Sequence, residues 1–120
     1  MTTRRLEKLS RMLQKEMGLI FLNEGKKLFG NVMISVTRVL VSSDMGYAKF
    51  YLNYLNAKDR NKMTEMVQLH QKELRVALAQ RIKNQVRKIP EISFFYDDSL
   101  DYFEKIDKII KNINDKENKD

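Results

Sequence analysis

The chain has no cysteine, one proline, one histidine and four glycines in 120 residues. Without cysteine there is no disulfide, no thiolate metal site and no cysteine nucleophile, a composition that suits a reducing compartment. The lone histidine, His70, has neither a partner histidine nor an acid placed to orient it, so packing is its expected role. Gly18, Gly25, Gly30 and Gly46 are too scattered for a phosphate-cradling loop, and no Ser-His-Asp set or metal-ligand spacing is present. Long apolar runs are missing as well. Nothing approaches the roughly 20 residues of a membrane span, and Arg, Lys and Glu stud the start of the chain where a signal peptide is apolar. A cytoplasmic binder is expected, with no enzymatic activity, no cofactor, no small-molecule substrate and no membrane partner.

What is present is one globular domain's worth of core. Hydrophobic residues make up 42% of the chain and aromatics 9%. We expect a single domain over residues 1–113 and a disordered polar tail over 114–120, where no residue is apolar. The formal net charge of +7 is unevenly spread. Residues 1–90 hold 18 lysines and arginines against 7 acids, whereas residues 91–120 hold 5 against 9. The positive charge therefore belongs to the folded body, which attracts polyanions and releases their counterions.

Leu6, Leu9, Leu13, Met17 and Ile20 recur at helical spacing, predicting a helix from about Thr3 to Leu22, capped by Thr2 or Thr3 and stopped at Asn23-Glu24-Gly25. Arg4, Lys8, Arg11 and Lys15 fall on the opposite side as a stripe of cations with no acid among them. A helix needing only solubility tends to mix signs at i,i+4. A basic amphipathic helix can also lie on an anionic membrane, but here the apolar side is needed as core.

Val32 to Ser42 is rich in β-branched residues, and its alternation changes phase between Val36 and Val39, predicting a strand with a bulge near Thr37-Arg38. Ser42 to Gly46 reads as a hairpin turn. A second strand, Tyr47 to Leu55, sets Ala48, Phe50 and Leu52 on a core face and Tyr47, Lys49, Tyr51 and Asn53 on a face open to solvent. Exposed tyrosine beside lysine is one way a sheet holds single-stranded bases. A long helix then runs from a cap at Asn56 or Asp59 to Ile89, ahead of Pro90. Its apolar set (Met63, Val67, Leu74, Leu78, Ile82, Val86, Ile89) drifts around the axis, which predicts curvature, a kink, or two helices meeting somewhere in 68–80. Lys72, Arg75, Lys83 and Arg87 form its basic face.

Glu91 to Tyr96 is the third strand, with Ile92, Phe94 and Tyr96 on one side. Asp97, Asp98, Ser99 and Asp101 begin a closing helix whose Leu100, Phe103, Ile106, Ile110 and Ile113 face inward. Those acids suit the free N–H groups of a helix start better than a Mg²⁺ site.

The expected architecture is α+β: helix, strand, strand, one long helix that is either continuous or kinked, strand, helix, with a three-stranded sheet packed on helices. That is the order of a type II KH domain. Ile34 through Ser42, Asp44, Ala48-Lys49-Phe50-Tyr51, Leu74-Arg75 and Pro90 through Ser99 closely resemble the ribosome-binding factor A family, in the right order over nearly the whole chain. The resemblance implies a non-catalytic KH-type domain that binds the immature small ribosomal subunit through its rRNA, supports late rRNA processing and matters in the cold. A monomer is expected. The family replaces the KH GxxG loop with an Ala-x-Gly kink, and here that stretch is His70-Gln71-Lys72, without glycine. RNA binding must then rest on side-chain cations: Arg4, Lys8, Arg11, Lys15, Lys72, Arg75, Lys83 and Arg87. Another KH-type RNA-binding or ribosomal protein, or a protein-interaction module, shares the same charge and is separated by salt dependence and sedimentation.

Overall fold

A computed structural model describes residues 2–99. The expected closing helix after Ser99, with Leu100, Phe103, Ile106, Ile110 and Ile113, the acid at Asp101 and the tail 114–120 lie outside the described residues. The elements are α1 (Thr2–Phe29), β1 (Met33–Val41), β2 (Tyr47–Leu55), α2 (Arg60–Leu69), α3 (Gln71–Ile82) and β3 (Glu91–Tyr96). β2 is central in a sheet of order β1-β2-β3, antiparallel to β1 and parallel to β3. The alternation read from β2 holds, since Ala48, Phe50 and Leu52 are fully buried while Tyr47 and Lys49 face solvent. Leu13, Met17 and Ile20 of α1, Val67 of α2, Leu74, Leu78 and Ile82 of α3, and Ile92 and Phe94 of β3 complete one core on that face.

Two helix boundaries differ from the sequence reading. α1 does not stop at Asn23-Glu24-Gly25 but runs on to Phe29, where Gly30 takes φ +73 and its N–H bonds the Lys26 carbonyl. The extra turns bury Phe29 against Phe21, with ring centroids 6.1 Å apart. Burying a phenylalanine contributes about 1.5–3 kcal/mol, more than the roughly 1 kcal/mol that an interior glycine costs.

The single long helix is two helices meeting at His70, inside the expected window. His70 sits at φ −96, ψ 13, its N–H shared between the Met66 and Val67 carbonyls. Its ring bonds the Met66 carbonyl through Nδ1 at 2.8 Å and packs edge-on against Phe29. No positive φ is required, so the break needs no glycine. As expected, Asp59 caps α2, its Oδ1 accepting from the N–H groups of Asn61 and Lys62.

α3 then ends at Ile82 rather than Ile89. The Arg75 guanidinium donates to the Ile89 carbonyl at 2.9 Å and the Pro90 carbonyl at 3.0 Å. A helix continued to Ile89 would set Arg75 and Ile89 about 20 Å apart along its axis, so this clamp requires the chain to turn back. Val86 and Ile89 tuck partly into the core on the way.

The bulge lies where the alternation changes phase, with the register shifting between Val36 and Arg38. Gln14 of α1 donates to the Val36 and Thr37 carbonyls. The Thr37 hydroxyl donates to Asp97 Oδ2 at 2.5 Å and lies 3.2 Å from the Tyr51 carbonyl. Asp97 is buried, and hydrogen bonds from the Ser99 hydroxyl first and the Thr37 hydroxyl second hold its carboxyl below the usual carboxylate value. A carboxylate with a depressed folded pKa stabilises fully above its unfolded value of about 3.9, and that stabilisation is lost as pH falls through the folded pKa. Thr37→Val is therefore expected to melt below wild type at neutral pH, with the gap closing below about pH 4. A gap that persists unchanged in acid would assign the effect to packing.

Candidate nucleic-acid interface

α1 presents Arg4, Lys8, Arg11 and Lys15 as exposed side chains, since its opposite side is spent on the core. The fold divides this stripe. Arg4, Lys8 and Arg11 rim a shallow depression with Arg5 and Glu7, while Lys15 lies on a separate apolar groove between α1 and β1. The turn that ends α3 early brings Arg87 and Lys88 beside the first turns of α1. Arg5 and Lys8 from α1, Arg87 and Lys88 from the 83–90 connection, and Asp44 and Met45 from the hairpin turn line one cleft of about 720 Å³. Leu9, Met12 and Val86 supply its apolar surface.

The two basic faces read separately from the sequence thus share a site through Lys8 and Arg87. Arg5 and Lys88 were missed as site residues. Arg5 lies off the four-cation stripe, and Lys88 falls elsewhere on a helical grid that does not exist past Ile82. Asp44 is the cleft's one acid, and its Oδ1 already accepts from the Ser42 hydroxyl at 2.6 Å and the Gly46 N–H at 3.0 Å. Those bonds, the hydroxyl foremost, lower its pKa, with a smaller contribution from the Lys88 charge.

The remaining expected residues scatter. Lys72 and Lys83 are exposed and outside the cleft lining. Arg75 is half-buried, with its clamp on Ile89 and Pro90 supplemented by Glu91 Oε1 at 3.5 Å. It positions the connection that carries Arg87. Arg81 is tied to Glu16 at 2.5 Å, fixing α3 to α1.

The outer sheet face carries a second cationic and aromatic surface. The Arg38 guanidinium lies over the Tyr51 ring at 4.3 Å, Lys49 lies 5.8 Å from the Phe95 centroid, and the Tyr51 and Phe95 rings are 5.8 Å apart. Tyr47 joins β2 to β3 through a hydrogen bond to Ser93. Such a face offers rings on which bases stack and cations for the backbone between them. Among the described residues, no helix is long and apolar enough to cross a membrane.

Comparison with known proteins bears on the family and the fold. The family model described as ribosome-binding factor A matches residues 5–110. A ribosome-binding factor A of Cytophaga hutchinsonii is 45% identical over 109 residues, spanning 91% of this chain and 82% of the relative. The crystal structure of ribosome-binding factor A from Thermus thermophilus superposes with a TM-score of 0.61 at 21% identity, over 76% of this chain and 94% of that one. Thermus thermophilus coordinates fitted into the cryo-EM map of a complex between the 30S subunit and ribosome-binding factor A give 0.58 at 19% identity, over 74% and 91% of the two chains. The fold is α+β and KH-like.

Proposed function

The chain belongs to the ribosome-binding factor A family, and from that footing we propose that it binds the small ribosomal subunit through ribosomal RNA during late maturation. The observation that carries this reading is the convergence of Arg5, Lys8, Arg87 and Lys88 on one cleft. Four cations around an acid already committed to its own turn form a concentrated positive potential, which suits a phosphodiester backbone. On the outer sheet face, the Tyr51 and Phe95 rings add surfaces on which bases can stack, with Arg38 and Lys49 beside them for the backbone. A relative's fitted position in a 30S complex supports the choice of subunit.

In this reading the protein works as a cytoplasmic monomer without catalysis or a cofactor. Its contribution is binding energy that holds immature rRNA in a form open to processing. Cold raises the need for such a factor because misfolded RNA escapes its traps more slowly.

Sedimentation of cell extract tests the proposal. The protein is expected with free small subunits and absent from translating ribosomes, and a rise in salt should release it steeply. Its presence across translating ribosomes would indicate a constitutive ribosomal component. Salt-insensitive association would indicate a protein-interaction module.

A further inference from the structure

The cleft between α1 and the 83–90 connection has more shape than a basic patch requires. Its volume of about 720 Å³ is in the range of ligand sites, roughly 300–1,000 Å³. Its cations sit over an apolar surface of Leu9, Met12 and Val86, an amphipathic lining that bare phosphate recognition does not need. The hairpin turn adds a strained contribution, since Met45 is held at φ +60. That left-handed region is unfavourable for a side chain and is the natural place for glycine, yet here it presents a methionine to the cleft. Strain of this kind collects where a side chain has a task in binding.

We infer that the cleft seats one nucleotide of single-stranded RNA, with its phosphate between Lys8 and Arg87 and its base against Met12 and Met45. This rests on the RNA-binding reading above and narrows it to a site and a strand form. Arg5 and Lys88, from the same two segments, line the cleft as well. A duplex turns its base faces inward and offers the cleft only phosphate, which would leave the methionines without a partner. An unpaired nucleotide satisfies both halves of the lining.

The methionines supply the test. Full-length protein labelled with ¹³C at the methionine methyls is titrated with a single-stranded uridylate hexamer, a duplex RNA of matched charge and a hexaglutamate peptide. The hexamer is expected to move the Met12 and Met45 signals while Met33 and Met66, exposed elsewhere, stay in place. Lys8→Ala and Arg87→Ala should each weaken hexamer binding about tenfold, as expected for losing a charged hydrogen bond. The double variant should fall short of about a hundredfold, because both side chains grip one phosphate. Met45→Gly should hold or raise the melting temperature by relieving the backbone, yet bind the hexamer more weakly.

Equal movement with duplex would overturn the strand form, and equal movement with hexaglutamate would assign the cleft to an acidic protein segment. Undiminished binding by Met45→Gly, or still Met12 and Met45 signals at millimolar hexamer, would also overturn the proposal. Small-subunit sedimentation of the same samples separates the two levels of the argument. Retained sedimentation with a silent cleft defeats this site and leaves rRNA binding standing, whereas loss of sedimentation by wild type defeats the functional reading itself.

Discussion

Phe94→Ala should remove about 3–5 kcal/mol of stability, a large share of the roughly 5–15 kcal/mol that holds a domain of this kind together. Phe94 is fully buried at the centre of β3, with its ring 5.5 Å from Phe50 and edge-on to Phe21 at 6.0 Å. It therefore joins β3, β2 and α1, and its own carbonyl accepts from Gln68 Nε2 of α2 at 3.0 Å. Truncation leaves a cavity that three different elements must collapse to fill, and the bulge clamp through Asp97 restrains the end of β3. The neighbouring Phe95 is the control. It is 38% exposed on the other face of the same strand, so Phe95→Ala should change stability far less. Thermal melts of the two variants check the contrast. At about 4–8 °C per kcal/mol for a domain of this size, Phe94→Ala falls by tens of degrees or fails to fold. A near-native melt for Phe94→Ala, or an equal loss for Phe95→Ala, would show the face assignment of β3 to be wrong.

That assignment was available from the sequence because a strand's period of two leaves no intermediate choice between faces. The same holds for Tyr47 to Leu55, and for the phase change between Val36 and Val39 that marked the bulge. Helix ends were less legible. Phe29 extends α1 through Gly25 by packing on Phe21 and on His70, and the second of these contacts lies outside any local window. α3 stops at Ile82 because Arg75 holds the carbonyls of Ile89 and Pro90, a long-range bond made by a residue that reads as one more surface cation. The cleft inherits this difficulty. Arg4, Lys8, Arg11 and Lys15 were visible as a stripe, but their meeting with Arg87 depends on where the connection turns. The apolar set gave no warning of this, because Leu74, Leu78, Ile82 and Val86 keep one four-residue step across the end of α3.

Reversing the basic surfaces should separate contact from mere attraction. Lys8→Glu with Arg11→Glu, and independently Lys83→Glu with Arg87→Glu, each lower the formal net charge of +7 by four. All four side chains are exposed, so circular dichroism and melting should stay close to wild type, within about half a kcal/mol. Lys26→Glu with Lys27→Glu makes the same change in total charge about 27 Å away along α1. If phosphates sit at the cleft, the first two variants lose small-subunit affinity by about a hundredfold when both residues make charged contacts. Each also flattens the salt dependence by about 0.7–0.9 in log K against log salt for the phosphate contact of Lys8 or Arg87, and by about twice that if its second residue also touches phosphate. The Lys26 and Lys27 variant should bind more slowly through weaker steering but keep the wild-type slope, because it gives up no counterion-releasing contact. Lys8 and Arg87 carry the sharper expectation of the two pairs, since Arg11 lies on the neighbouring depression and Lys83 outside the cleft lining. Replacing Lys8 and Arg87 alone should thus account for most of the lost slope. Unchanged affinity and slope in both pairs would move the contact to the outer sheet face, where Arg38, Lys49, Tyr51 and Phe95 would have to carry it.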